Sequence, residues 1–230
     1  KLPDGAEVEL ALDAAKGQVK LTAGRYASAL SVLPAEDLPE IAEGNLPFAF
    51  SLPADELKRL IDKTRFAIST EETRYYLNGI YLHVAEGPDG RRLRAVATDG
   101  HRLARVEADV PEGAAGMPGV IVPRKAVGEL RKLVDEVDAE VSVALSETKI
   151  RFVFGDVVLV SKLIDGSFPD YERVIPAGND KMVRIDCKPF AAAVDRVATI
   201  SSEKSRAVRF SLTDGRLDLA VTSPDNGSAS

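Results

Sequence analysis

The densest group of side chains able to do chemistry is Thr98-Asp99-Gly100-His101-Arg102. A carboxylate two residues from an imidazole is an acid–base pair in type, and Ser161 or Ser167 could add a nucleophile. That set would make a small hydrolase. The same stretch also reads as a plain turn, because Asp-Gly is a turn dipeptide and a histidine beside it is often a packing residue. No phosphate-binding P-loop, Gly-x-Gly-x-x-Gly or His-Glu-x-x-His accompanies it. Two histidines, His83 and His101, leave little for a metal site. The single cysteine, Cys187, excludes an intrachain disulfide and points to a reducing compartment. No metal and no cofactor are expected.

Two further segments offer binding chemistry. Arg74-Tyr75-Tyr76-Leu77-Asn78-Gly79 sets a cation beside stacking faces and hydroxyls on a turn-prone loop, which suits phosphate and exposed bases. One tyrosine is expected to pack and the other to be exposed. Phe168-Pro169-Asp170-Tyr171 through Arg173-Val174-Ile175-Pro176 reads as an extended linker. Such a linker either walls a groove for a partner peptide or serves as a rigid spacer. Hydrolase, nucleic-acid binder and protein-interaction module are thus all open on residue types alone.

The elements that would position these residues follow from the wider pattern. The chain has 230 residues, 45% hydrophobic and 29% charged, which is a globular balance and excludes a disordered tail. No apolar run approaches the roughly 20 residues that span a bilayer, and Lys1-Leu-Pro-Asp-Gly lacks the apolar core of a secretion signal. Helices are predicted over 53–64, with Leu57, Leu60 and Ile61 as the buried stripe, and over 123–134, with Val127, Leu130, Leu133 and Val134. A third is expected around 189–197. Short antiparallel strands fill 79–84, 93–98, 140–145, 149–154 and 157–163. Strands in runs with two helices per unit make an α+β fold.

The chain also repeats itself. Val19-Lys20-Leu21-Thr22-Ala23-Gly24 matches Ile150 to Gly155, and Leu38-Pro39 matches Phe168-Pro169. Thr70 to Arg74 matches Ser202 to Arg206, and Asp89-Gly90 matches Asp214-Gly215. The offset is about 130 residues, a usual domain size. The parse is therefore the end of one copy over 1–46, a whole copy over 47–177 and the start of another over 178–230. On this reading the chain is a piece of a longer protein. The net charge is −6, whereas a free nucleic-acid binder is usually basic. Basic clusters nevertheless mark the polar sides of the two helices: Lys58, Arg59, Lys63 and Arg65 on one, Arg124, Lys125, Arg131 and Lys132 on the other. Acids gather elsewhere, as in Asp135-Glu136-Val137-Asp138-Ala139-Glu140. That layout suits a phosphate-facing surface on an acidic body, or simply solvated helix faces.

Taken together, Arg74 to Gly79, Ala97-Thr98-Asp99-Gly100-His101-Arg102-Leu103, Val122-Pro123-Arg124-Lys125, Ser161 to Tyr171 and Ser202 to Arg206 resemble the bacterial DNA polymerase III β subunits, the sliding clamps. The resemblance implies a DNA-clamp fold of three similar domains per subunit, closed head to tail by a second subunit into a homodimeric ring. A ring holds duplex DNA by topology and needs no high affinity, which removes the charge conflict. It implies a non-catalytic processivity factor of the bacterial cytoplasm. Partners would be double-stranded DNA, the replicative polymerase's catalytic subunit, an ATP-dependent clamp loader and other proteins with a clamp-binding motif of glutamine and apolar anchors. The implied peptide groove comprises Leu77, Thr98, Gly100, His101, Arg102, Leu103, Pro169, Arg173 and Val174. The implied DNA contacts are Arg74, Tyr75 and Tyr76, with Arg124 and Lys125.

Overall fold

Proline at the head of a helical pattern and acids in its first turn start the first helix, and the apolar stripe keeps it in place. In the computed structural model, which describes residues 2–37, 44–87, 90–137, 140–201 and 207–230, this helix is α1 (Ala54–Asp62). Ala54, Leu57, Leu60 and Ile61 are buried and Asp55 and Glu56 sit in the first turn, where the helix dipole favours them. The second helix, α2 (Arg124–Val134), buries Ala126, Val127, Leu130 and Val134, while Leu133 is half-buried at the edge of the stripe. Each fully buried leucine contributes on the order of 2 kcal/mol.

Two compact units divide the chain, Lys1–Pro169 and Asp170–Ser230. The first unit opens with a three-stranded antiparallel sheet of β1 (Glu9–Asp13), β2 (Gln18–Ala23) and β3 (Tyr26–Ser31). Then come β4 (Phe48–Pro53), α1, β5 (Gly79–Gly87), β6 (Gly90–Thr98) and β7 (Leu103–Asp109). The same order of strand, helix and three strands follows at once in β8 (Val120–Pro123), α2, β9 (Glu140–Leu145), β10 (Lys149–Phe154) and β11 (Val157–Lys162). The two halves exchange their first strands. β4 pairs with β9 in the sheet β11-β10-β9-β4, and β8 pairs with β5 in the sheet β7-β6-β5-β8. This exchange locks the halves into one core in which Phe50, Val143, Phe152, Leu82, Ala95, Leu60 and Leu130 all participate.

Alternation in the second sheet gives it two distinct faces. Ile80, Leu82, Leu93, Ala95, Ala97, Ala104, Val120 and Val122 join the core. Tyr81, His83, Arg94, Val96, Thr98, Leu103 and Arg105 alternate to the outward face, with Tyr81 opposite Val96 and Ile121, and Thr98 opposite Leu103.

The repeated sequences occupy equivalent elements. Val19 to Gly24 and Ile150 to Gly155 are the middle strands of antiparallel sheets, and each ends in a glycine turn with φ near +57° and +55°. The pairs Leu38-Pro39, Asp89, Asp138 and Ser202 to Arg206 lie outside the described residues.

The second unit holds a 3-10 turn at Tyr171–Val174, α3 (Cys187–Ala198) and a sheet β12-β13-β14 built from Arg209–Thr213, Arg216–Ser223 and Gly227–Ala229. Val197 and Val221 are buried, and the Phe190 and Phe210 rings lie 5.7 Å apart. The 3-10 turn replaces part of the extended linker expected from the prolines. An ion pair between Asp170 and Arg173, 2.7 Å and three residues apart, favours the tighter backbone. No helix among the described residues is long and apolar enough to cross a membrane.

Candidate functional site

The turn that joins β6 to β7 carries five of the expected groove residues: Thr98, Gly100, His101, Arg102 and Leu103. Its shape is set by side chain–backbone bonds. The Thr98 hydroxyl donates to the Arg102 carbonyl at 2.8 Å and accepts from the Gly100 amide at 3.1 Å. Asp99 Oδ1 accepts from the amides of His101 and Arg102, both at 3.0 Å, and Asp99 Oδ2 accepts from Arg102 Nε at 3.0 Å. Gly100 takes φ +88°, which a side chain rarely tolerates.

These bonds decide between the hydrolase and turn readings. Burial pushes the Asp99 carboxyl up, but the Arg102 and His101 amides and the Arg102 guanidinium outweigh it and hold the carboxyl below its usual range. A carboxylate so occupied is a structural acceptor and a poor base. Asp99 bonds the His101 backbone, and no bond from its carboxylate to the imidazole exists among the described residues. Ser161 donates to the carbonyl of Lys162, its own neighbour. Asp99 is therefore the staple of this turn.

A pH dependence follows from the lowered value. The stabilisation from Asp99 is fully present above the carboxyl's unfolded value of about 3.9, and it is lost as pH falls through the lower folded value. Amide protection at His101 and Arg102 is expected to hold at about pH 5 and to collapse at strongly acid pH. Asp99→Asn should remove that dependence. Protection in the native chain that does not change with pH would contradict the assignment.

Arg74 and Phe66, from elsewhere in the first unit, approach this turn. Arg74 bonds Glu71 at 3.4 Å, and its Nη1 lies 2.7 Å from the place where a methyl group on Gly100 would sit. Arg74, expected at the DNA face, is thus also a neighbour of the groove turn. The Arg102 guanidinium lies over the exposed Phe66 ring at 5.7 Å. Phe66 gave no sequence signal, because a single aromatic in a short 3-10 turn has no periodicity to read. Leu103 is half-buried on the outward sheet face and Pro169 is exposed. Leu77 is only 4% exposed, so its side chain is buried rather than presented at the surface. Arg173 and Val174 belong to the second unit. Both are exposed, and Arg173 is bonded to Asp170.

The expected nucleic-acid residues also converge. The Arg124 amide at the start of α2 donates to the Asn78 carbonyl at 2.8 Å, and Gly79 pairs with Pro123. These bonds bring the Arg74–Leu77 loop to the head of α2, where Arg124 and Lys125 are exposed. Tyr75 is exposed and Tyr76 half-buried, with their rings edge to face at 5.8 Å. The basic helix faces are less available than their composition implies. Lys58 bonds Asp135 at 2.6 Å, Arg65 bonds Asp62 at 3.3 Å, Arg131 bonds both Asp62 and Asp135, and Lys132 bonds Glu129. Among the described residues, Lys63, Arg124 and Lys125 have no ion-pair partner. No group of three or more His, Cys, Asp or Glu side chains suited to a metal occurs among the described residues.

The geometry agrees with what the chain resembles. The family model described as DNA polymerase III beta subunit, central domain, matches residues 51–170, and the model of the C-terminal domain of that subunit matches 172–230. The Beta sliding clamp of Caulobacter vibrioides is 52% identical over 229 residues, covering 100% of this chain and 62% of that protein. The Beta sliding clamp of Escherichia coli K12 is 38% identical, with 60% of its length covered. The crystal structure of the DnaN sliding clamp from Bartonella birtlesii, bound to griselimycin, superposes with a TM-score of 0.92 at 53% identity, covering 100% of this chain and 61% of that one. The chain therefore spans about three fifths of the relatives it matches, and it belongs to the DNA polymerase III beta subunit family.

Proposed function

We propose that this chain is part of a sliding clamp, a non-catalytic subunit that encircles duplex DNA as a head-to-tail dimeric ring and tethers the replicative polymerase to its template. The observation that carries the DNA role is the distribution of unpaired cations. In a chain of net charge −6, Arg124 and Lys125 stand free at the head of α2, beside the exposed Tyr75. Such a surface makes a few phosphate contacts without reading sequence, and its affinity is weak and salt-sensitive. Weak contact suits a protein held by topology, because tight contact would stop it sliding. Two of the other helix-face cations, Lys58 and Arg131, are held by ion pairs to Asp135 and Asp62 that link α1 to α2.

The partner role falls to the turn Thr98–Leu103 with Leu77 and Pro169. Arg173 and Val174 enter by the family resemblance alone. Partners of this reading are the polymerase's catalytic subunit, an ATP-driven loader and other proteins carrying a short motif of glutamine and apolar anchors, in the bacterial cytoplasm. A fluorescein-labelled peptide of that motif, titrated against the full-length protein by anisotropy, tests it. Saturable binding that Arg173→Ala weakens about tenfold or more, the range of an interface hot spot, is the expected result. Affinity unchanged by Arg173→Ala would remove that residue from the site, and no binding at all would remove the partner role.

A further inference from the structure

Three aromatic rings lie parallel on the outward face of the sheet that carries the Thr98–Leu103 turn. Tyr81 stacks on His83, with centroids 4.4 Å apart and planes 19° apart. On the Tyr81 ring Phe168 also stacks, at 4.8 Å and 7°. Phe168 belongs to no strand or helix and directly precedes Pro169. The segment leading to it is held at intervals. The Leu163 amide donates to the Thr148 carbonyl at 2.8 Å, and the Ile164 amide to the Ile121 carbonyl at 3.0 Å. Gly166 packs against Tyr76 and Tyr75, where an added methyl would come within 3.1 Å and 3.3 Å. From Leu163, buried in the main core, residues Ile164 to Phe168 thus form a strap beside this sheet, and the Phe168 ring is its last fixed point before Pro169.

The face under the strap is built to receive it. Val96 and Ile121, which flank Tyr81 in the neighbouring strands, are 0% and 2% exposed although they point away from the main core. The hydroxyl end of Tyr81 also closely approaches Gly119. A methyl group there would fall 2.3 Å from the Tyr81 hydroxyl and 2.8 Å from its ring. The Tyr81 ring is thus hemmed in by Gly119 while one face is stacked with Phe168.

We propose that Phe168, stacked on Tyr81, is a positioning residue for the peptide site: it fixes Pro169 at the edge of the outward face so that the groove is formed before a partner arrives. The inference rests on the peptide-site reading above and adds to it two residues, Tyr81 and Phe168, that touch no partner themselves. A preformed wall spares the partner the cost of ordering the strap, so losing the stack weakens binding without altering the contacts of the bound state. An aromatic pair of this geometry supports an effect of about three- to tenfold in affinity.

The test uses Phe168→Leu, which keeps an apolar side chain and removes the stack, and Phe168→Tyr, which keeps the ring. Both are read in the full-length protein by peptide anisotropy and by hydrogen exchange of residues 163–169. Phe168→Leu is expected to weaken the peptide about three- to tenfold and to speed exchange in the strap, with exchange in β5 and β9 unchanged. Phe168→Tyr is expected to restore both. Gly119→Ala, whose methyl would clash with the Tyr81 hydroxyl and ring, should reproduce the Phe168→Leu result. Peptide binding within twofold of the native value in Phe168→Leu overturns the proposal, as does weakened binding that Phe168→Tyr fails to restore. Native protein that binds no peptide overturns the peptide-site reading itself, and this role with it.

Discussion

Leu103→Asp is expected to lower affinity for a clamp-motif peptide by about thirtyfold or more, the loss typical of a central interface residue, while leaving the fold intact. Leu103 opens β7 on the outward face, directly opposite Thr98 and at the end of the turn stapled by Asp99. Half-buried there, it has room for a carboxylate to stay hydrated in the free protein. An apolar partner side chain would have to strip that water away, and the cost appears as lost affinity. The measurement is a peptide titration paired with a urea unfolding curve of the same sample. An unchanged midpoint with binding lost is the expected pair, and affinity within threefold of native would show that Leu103 lies outside the site. Leu77 is a poor place for the same experiment. At 4% exposure, a charge introduced there would unfold the neighbourhood, and lost binding would report only that.

A second large effect is expected from Gly79→Ala. A methyl on Gly79 would sit 2.3 Å from the Val122 carbonyl oxygen and 2.9 Å from its carbon, both main-chain atoms with no freedom to retreat. The position is the first residue of β5, where it pairs with Pro123 across to β8. Relief requires β5 and β8 to separate, which breaks the strand exchange between the two halves of the module. A loss of about 3 kcal/mol or more is expected, in the range of severe core overpacking. The head of α2 is bonded to Asn78 and moves with that junction, so DNA contact through Arg124 and Lys125 should weaken as well. Urea unfolding reads the first effect. A change below about 1 kcal/mol would mean that the junction is looser than its geometry implies.

Much of this was legible in the sequence, for identifiable reasons. The stripes Leu57-Leu60-Ile61 and Val127-Leu130-Val134 repeat at helical spacing, and both helices form within two residues of their expected limits. Residues 140–145 and 149–154 alternate between inward and outward side chains, and both strands match the expectation. What periodicity could not convey is pairing between distant segments. The exchange of β4 and β8 between halves leaves no local mark, and neither does the approach of Arg74 to Gly100. Charge composition misled in one respect. Lys58, Arg65, Arg131 and Lys132 read as a free basic face, yet acids one helical turn away or on the facing helix hold each of them. Leu77 presents the opposite case: it was expected to line a groove, but it is buried, which sequence alone does not show.

Whether this protein embraces DNA or adheres to it is decided by retention on a closed template. Full-length protein is loaded on nicked circular DNA with a clamp loader and ATP, passed over a sizing column in about 0.2 M salt, and the DNA is then cut once. The protein is expected to co-migrate with the circle at that salt and to leave promptly after linearisation, because the screened contacts of Arg124, Lys125 and Tyr75 cannot hold it alone. Protein that remains on the linear DNA, or that never stays on the circle, would contradict encirclement.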